Sequence, residues 1–528
     1  MAKRQLLFPA LILLFAAIFR FAELDIKPPH FDEGINGWFC DQMAQNGYYG
    51  YDPTNYHGPF HFYVLFLSLK LLGRNLWALR LPVVLASLLT ILWIFLFKPF
   101  FSRTICYLAA LGMALSPGFI FYDRYSIHES WMVLFLTVTC WGILGVWTSR
   151  EAKHFWGLIL GLTGMILTKE TYIIHVAAFA GAGCVLLIAN RFSKNKEPQR
   201  PTGPLPIKQI GSAVLVGIFL ILFFYSGNFL YWKGLRGLYE TFLPWTKTGI
   251  DSAGHGKPTY DLCPLIPPFM QNLPGFRGLA AFKLNWYWVR LLVKYEWFAL
   301  AGLIFSLRFL FWGQPALRFL ALYSLAVLFA YSIVPYKTPW CVISIAWPFL
   351  FLAGALIDFV AKWTHPNVAA VVSIPLFAQA SWKSYELNFV RYDNPKELYV
   401  YVQTVRDYHK FVDPILEKAA KDPNAKRELS GAIFLSSYYP IPWVLGDFSR
   451  IAYYNKEDVW PQDCDADFIA IDDDKADDLE KHLKNRYFIA DFQLRDGMGD
   501  CRAYFRFETF RDIFPNREPE FDPAHPDE

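Results

Sequence analysis

The segment HFDEGINGWFCDQMAQNGYYGYDPTNYHGPFHFYVLF, residues 30–66, crowds together side chains able to do chemistry. Asp32 and Glu33 open a helical pattern there, where carboxylates are favoured by the helix N-terminus. Capping alone would explain an isolated Asp-Glu, because Asp is among the preferred N-cap residues. The same stretch also holds His57, His61 and several Asp, Tyr and Asn. Two juxtamembrane helices, the first amphipathic, would press it against a lipid boundary, and such burial is what a polar reaction on a lipid substrate requires. Further along, Asp123, Arg124, His128 and Glu129 fall within seven residues, Lys169 adjoins Glu170, His255 precedes Lys257, and Tyr336 precedes Lys337. Carboxylates of this kind can take a proton from an attacking group. Fixed cations can stabilise negative charge on a departing one.

The elements that must carry these groups follow from composition. The chain has 528 residues, 54% hydrophobic and 18% charged, against roughly a quarter charged in an average soluble domain. That apolar content excludes intrinsic disorder, and a net charge of +4 is no surplus for binding nucleic acid. A membrane protein remains. Residues 1–380 carry 30 Lys and Arg against 16 Asp and Glu, and residues 381–528 carry 20 against 30. The chain is thus basic and lipid-soluble first, acidic and water-soluble last.

A crossing helix needs about 20 mostly apolar residues, which predicts about eleven spans: 6–21, 79–97, 104–121, 131–148, 155–168, 174–190, 209–227, 294–311, 317–334, 340–360 and 366–381. No small-residue cleavage site follows Arg20, so the first is read as an uncleaved span. The run 59–72 is short and carries His61 and Lys70; it is expected to lie along the surface. Were it to cross, the most basic loop, with Arg191, Lys194, Lys196, Arg200 and Lys208, would face outward, against the positive-inside rule. Thirteen of the sixteen acids before position 380 then fall outside. Function is therefore sought on the outer side, with a membrane domain over 1–381 and an extracytoplasmic α/β domain over 382–528. That domain is expected to hold helices over 395–420 and 476–484 and strands over 432–436 and 468–471. Cys464 and Cys501 are candidates for a disulfide in an oxidising compartment.

The order of motifs carries more than any one of them. An Asp-Glu in the first outer loop, HGPFHFY, LRLPVVLASLLTIL, ALSPGFIFYDRYSIHES, LTKETYIIH, GHGKP, SIVPYKTPW and, in the tail, YYPIPWVLGDF run through nearly the whole chain. This pattern resembles the polyprenyl-phosphate-sugar-dependent GT-C glycosyltransferases. More narrowly it is similar to the protein O-mannosyltransferase and aminoarabinose transferase group and its flippase-activity-associated bacterial and archaeal members. The resemblance implies a polytopic α-helical fold with two juxtamembrane helices in the first outer loop. It also implies inverting transfer of one sugar, on the outer face of the cell membrane, from a lipid-monophosphate donor to a lipid, glycan or protein acceptor. The family's first-loop acid is its base, which falls here on Asp32; Glu33 would orient the acceptor or hold a cation. Lys169, Lys337, Lys257 and Arg124 are the candidates for the donor phosphate. Asp123, His128, Glu129, Glu170, His57, His61, Tyr336 and His255 are candidates for lining the substrate site.

Several bland readings stand beside these. Asp123 and Arg124 could be an ordinary interfacial pair, and each lysine could simply snorkel from a helix end. His30, His57, His61 and His128 with Asp32 and Glu129 lack the tight spacing of a zinc signature, and a divalent cation stays open. Trp245, Trp286, Tyr287 and Trp288 could stack on a sugar or rest at the interface. A lipid-linked glycan transporter would be expected to show midplane polar groups and internal repeats, which the sequence lacks; a non-catalytic scaffold is the third alternative.

Overall fold

The computed structural model describes residues 2–55, 57–192, 204–251, 286–334, 336–454, 461 and 464–524. His255 and Lys257 lie outside them. The chain divides into two units: Met1–Leu24 with Cys40–Arg391, and Asp25–Phe39 with Tyr392–Glu528. The boundary expected at 381/382 falls inside a helix, Pro366–Tyr385. The segment bearing Asp32 and Glu33 groups with the C-terminal residues.

The first unit is helical. Its elements are α1 (Ala2–Phe21), the end of α2 (Phe31–Asn46), α3 (Phe60–Leu72), α4 (Leu76–Ile94), α5 (Arg103–Leu115), α6 (Pro117–Asp123), α7 (Glu129–Thr148), α8 (Ala152–Thr168), α9 (Tyr172–Phe192), α10 (Ile207–Tyr225), α11 (Phe242–Asp251), α12 (Tyr287–Tyr295), α13 (Trp297–Phe309), α14 (Pro315–Ile333), α15 (Val342–Trp363) and α16 (Pro366–Tyr385), with shorter turns between. A helix stands at every expected span. Six are long and apolar enough to cross a membrane, and the bent pair α5–α6 makes seven; α1, α8, α13 and α16 are shorter or less apolar. The protein is an integral membrane protein.

The single span expected over 104–121 is instead two helices meeting at 57°. Ser116 breaks it: its hydroxyl accepts the Phe119 N–H at 3.4 Å, and Pro117 takes the first position of the new helix, where its missing N–H costs nothing. The bend aims Asp123 at Arg20 of α1, whose Nη2 lies 3.0 Å from the carboxylate, while Ser87 and Ser130 also donate to it. Both charges are buried, and a charge in an apolar interior persists only when paired and hydrogen-bonded.

The second unit holds a five-stranded sheet of order β2-β1-β3-β5-β4, with β1 (Ser430–Phe434), β2 (Arg450–Tyr453), β3 (Phe468–Asp472), β4 (Tyr487–Phe492) and β5 (Cys501–Arg506). β1 pairs parallel to β2 and β3, and β5 runs antiparallel to β3 and β4. Helix α17 (His409–Lys421) buries Phe411, Val412 and Ile415 in one core cluster with Ile433, Phe468 and Phe505. The helix expected over 395–420 thus exists only in its second half. Before it, Asn394 accepts the Lys396 N–H in a turn and Val402 takes a left-handed φ of 54°, neither compatible with a continuous helix. The helix expected over 476–484 is a single turn, Ala476–Glu480. Cys464 and Cys501 are both buried and both free thiols, so the candidate disulfide is not formed.

Candidate active site

In the first unit, residues 57–58 lie antiparallel against the α8–α9 turn. His57 pairs with Lys169 in an isolated β-bridge, and the Gly58 N–H donates to the Thr168 carbonyl at 3.0 Å. This pairing sets His57 beside Glu170, Nδ1 to Oε2 at 3.1 Å, and leaves Lys169 to reach Glu129 at the start of α7. Cys341 completes the cluster, its Sγ 3.9 Å from the Lys169 ammonium and 3.3 Å from the Thr338 hydroxyl. Burial opposes the charge on Lys169, but Cys341 together with the carboxylates of Glu129 and Glu170 outweighs it and holds the ammonium protonated.

These residues border a cavity of about 290 Å³ lined by His57, Lys169, Glu170, Thr171, Tyr331, Tyr336, Thr338 and Cys341 together with Ile174, Ile333, Trp245, Trp288 and Trp340. Small-molecule sites have this mix of apolar walls and a few placed polar groups. Two of the tryptophans singled out in the sequence, Trp245 and Trp288, therefore face a cavity, and the Trp288 indole is fixed there by donating to the Tyr331 carbonyl at 2.9 Å. Cys341, Thr171 and Tyr331 were not among the candidates; Thr171 stands within LTKET and Cys341 directly follows PYKTPW, but only the charged residues and Tyr336 of those motifs were singled out.

Other candidates stand elsewhere. Lys337 is fully buried and does not line the cavity. Its ammonium bonds to the carbonyls of Tyr331 at 2.5 Å, of Ser332 at 3.3 Å and of Val334, so it closes the C-terminus of α14. Burial pushes it down to about 8. Arg124 likewise closes α1, donating to the carbonyls of Phe19, Ala22 and Glu23 while its guanidinium lies 4.6 Å from the centre of the Phe389 ring. Asp123 pairs with Arg20 rather than with its neighbour Arg124.

His128 lies between His57 and His61, with ring centres 4.6 and 4.3 Å away. Burial pushes His128 well below the usual imidazole range. The rings are tilted to one another by 42° and 53°, and among the described residues no three His, Cys, Asp or Glu gather as metal ligands would.

In the second unit, α2 starts with His30, Asp32 and Glu33. Glu33 is fully buried and its carboxylate accepts the His30 N–H at 2.9 Å, a reciprocal helix-start cap. The His30 ring accepts the Asp32 N–H on Nδ1 at 3.1 Å and reaches the Tyr401 carbonyl with Nε2 at 2.8 Å, which fixes the neutral tautomer with its proton on Nε2. The Asp32 carboxylate is 34% exposed and forms no hydrogen bond with a described residue; the neutral His30 ring lies 3.8 Å from it. Arg495 stacks on the adjacent Phe31 ring at 4.5 Å, and burial pushes that guanidinium down to about 10 against the raising effect of Asp32. Behind Asp32, the helix lies flush on the PIPW turn. A Cβ on Gly34 would come 2.5 Å from Pro440, and one on Gly37 would come 2.2 Å from Trp443.

Residues 56–202 match the family model for dolichyl-phosphate-mannose-protein mannosyltransferases. That stretch carries Lys169, Glu170 and Glu129 but neither Asp32 nor Lys337. Among solved structures, ArnT from Cupriavidus metallidurans bound to undecaprenyl phosphate superposes with a TM-score of 0.59 at 12% identity, over 95% of this chain and 98% of that one. The apo state of the same protein gives 0.53 at 13%, with the same coverage. An Archaeoglobus fulgidus oligosaccharyltransferase in complex with Zn and sulfate gives 0.54 at 12%, over 93% of this chain and 73% of that one. This is the GT-C fold. No curated protein matches by sequence. Identities this low speak for the GT-C architecture of helices and appended sheet, so the chemistry has to be argued from the residues present.

Proposed function

We propose that this chain is an inverting glycosyltransferase that moves one sugar from a polyprenyl-phosphate-linked donor to a hydroxyl or amine of a lipid, glycan or protein acceptor. It acts at the outer face of a bacterial or archaeal cell membrane, with Asp32 as general base. The observation that carries this reading is the first unit's cavity. It joins a buried, charged ammonium to aromatic and aliphatic walls, a combination suited to a phosphate attached to an apolar chain. Lys169, with the His57 imidazole and the Thr338 hydroxyl, would hold the phosphate as it gains charge on leaving. The acceptor oxygen or nitrogen attacks the anomeric carbon from the opposite face, its proton passes to Asp32, and the sugar–phosphate C–O bond breaks with its electrons on the phosphate. A part-exposed carboxylate that forms no hydrogen bond with a described residue is available for that proton. The two ArnT structures are of one protein, crystallised with undecaprenyl phosphate and without it, which supports a lipid-phosphate ligand for this fold.

The test is to incubate the purified full-length chain with a polyprenyl-phosphate-sugar and measure release of polyprenyl phosphate. Release and its loss in Asp32→Asn, at unchanged thermal stability, is the expected result. Full turnover in that variant would overturn the assignment of the base, and absence of release by the wild type with any such donor would overturn the activity.

A further inference from the structure

A second cavity, of about 330 Å³, lies wholly within the second unit, a volume within the range of roughly 300–1,000 Å³ typical of small-molecule sites. Its walls are chiefly aromatic: Trp38 from α2, Tyr438 and Tyr439 from the turn after β1, Tyr453 at the end of β2, and Phe448. Tyr438 stands 5.5 Å from Tyr439 and 5.2 Å from Tyr453, centre to centre, so the rings form a continuous concave surface. The Trp38 indole N–H and the Tyr438 and Tyr439 hydroxyls make no hydrogen bond with any described residue, and all three side chains are only half-buried. No charged side chain lines the cavity.

We infer that this cavity is a binding subsite for a neutral pyranose of the acceptor, so that the acceptor is a glycan. The chemistry selects the ligand. A pyranose offers C–H faces to aromatic rings and hydroxyls to polar ring edges, and the lining supplies both. A phosphate, uronate or sialate would find no cation here. An acyl chain would bury three unpaired polar groups, each a cost. The placement follows from packing: Gly34 and Gly37 bring α2 flush onto Pro440 and Trp443, so the Tyr438–Trp443 wall is fixed to the helix that carries Asp32. At 1.5 Å and about 100° per residue, Trp38 lies about 9 Å along that helix and about 120° around it from Asp32, a separation of the order of two or three sugar rings. The subsite rests on the proposed transferase reading, because it is the acceptor that would need to reach Asp32.

The test uses the full-length chain in nanodiscs and saturation-transfer NMR with four probes: the methyl pyranosides of mannose, glucose and galactose, and methyl glucuronide. At least one neutral glycoside should receive saturation through its ring protons. That signal should fall about fivefold in Trp38→Ala and by a smaller factor in Tyr439→Phe, which keeps the ring and removes one hydroxyl. Trp38→Phe, which keeps an aromatic face, should restore most of it. The inference is overturned if no neutral glycoside binds, if binding is unmoved by Trp38→Ala, or if the glucuronide binds equally well. Asp32→Asn separates the two claims. Loss of transfer with glycoside binding retained supports both; transfer retained by Asp32→Asn removes the base and leaves the subsite standing; glycoside binding unmoved by Trp38→Ala removes the subsite alone.

Discussion

The two units solve the problem of polar groups in opposite ways. Around Lys169 the polar groups are paired: Glu129 answers the ammonium, Glu170 is hydrogen-bonded to His57, and the cluster is largely buried. Around Asp32 the neighbours are satisfied and the central group is not: Glu33 is used as a cap, His30 is fixed by two hydrogen bonds, and the Asp32 carboxylate accepts no hydrogen bond from the described residues. A paired, preorganised cluster suits holding a charged ligand without reorganisation. A carboxylate left unpaired beside rigid neighbours suits taking up a proton. The contrast predicts that damage to one region shows as lost turnover and damage to the other as lost stability together with lost donor affinity.

The largest effect is expected at Asp32. Removing a positioned general base typically costs roughly 10²–10⁴ in rate, so Asp32→Asn should lower sugar transfer by that factor while the melting temperature stays within a degree or two. Asp32→Glu should recover part of the rate. A melting temperature that falls with the activity would place Asp32 in the structural class with Glu33.

At Lys169 the loss should be mixed. Lys169→Met strands the Glu129 carboxylate in a buried setting, and breaking a buried pair in this way costs about 3–5 kcal/mol. The double variant Lys169→Met with Glu129→Gln should recover most of that stability yet still bind polyprenyl phosphate poorly. Recovery of binding along with stability would make the pair purely structural and would shift the phosphate to other groups in the cavity.

How much of this contrast could be read from the sequence depends on the range of the signal. Hydropathy placed a helix at each expected span because an apolar span is a local property, and the short run 59–72 is a separate helix, α3, whereas α11 and most of α12 lie outside the expected spans. Pairing is not local. Asp123 adjoins Arg124 in sequence, yet its partner is Arg20, 103 residues away, because the break at Ser116 re-aims the chain. Lys337 looked well placed beside its prolines, but a lysine a few residues beyond a helix can fold back on that helix's own open carbonyls, and spacing cannot distinguish this from reaching a ligand. Nor does any composition signal show that residues 25–39, lying between apolar stretches, pack with the C-terminal sheet unit. The glycines of GINGW were the available clue: two glycines three apart on a helix mark a face that another backbone approaches closely.

That clue gives the next prediction. Gly37→Ala introduces a methyl where only 2.2 Å separates it from the Trp443 ring, and overpacking of this kind costs about 1–3 kcal/mol. Transfer should decline as well, since the same helix fixes Asp32. Trp443→Leu in the same chain should relieve part of the clash. If Gly37→Ala is as stable as the wild type, the two segments are not held in register by this contact.

The smallest effect, and the sharpest within the Asp-Glu pair, belongs to Glu33. Its carboxylate is fully buried and directed back at the His30 N–H. Glu33→Gln keeps an acceptor at that position, because glutamine also closes a capping box. The variant should lose no more than about 1 kcal/mol, the typical worth of such a bond, and should transfer sugar within a factor of about three of the wild type, equivalent to less than 1 kcal/mol. Comparing Asp32→Asn with Glu33→Gln on one preparation therefore reads the division of labour directly: two adjacent carboxylates on one helix turn, changed by the same isosteric step, should differ by at least about tenfold in turnover. Equal losses would mean that the two carboxylates act as one unit on the acceptor, and the assignment of the proton to Asp32 alone would fail.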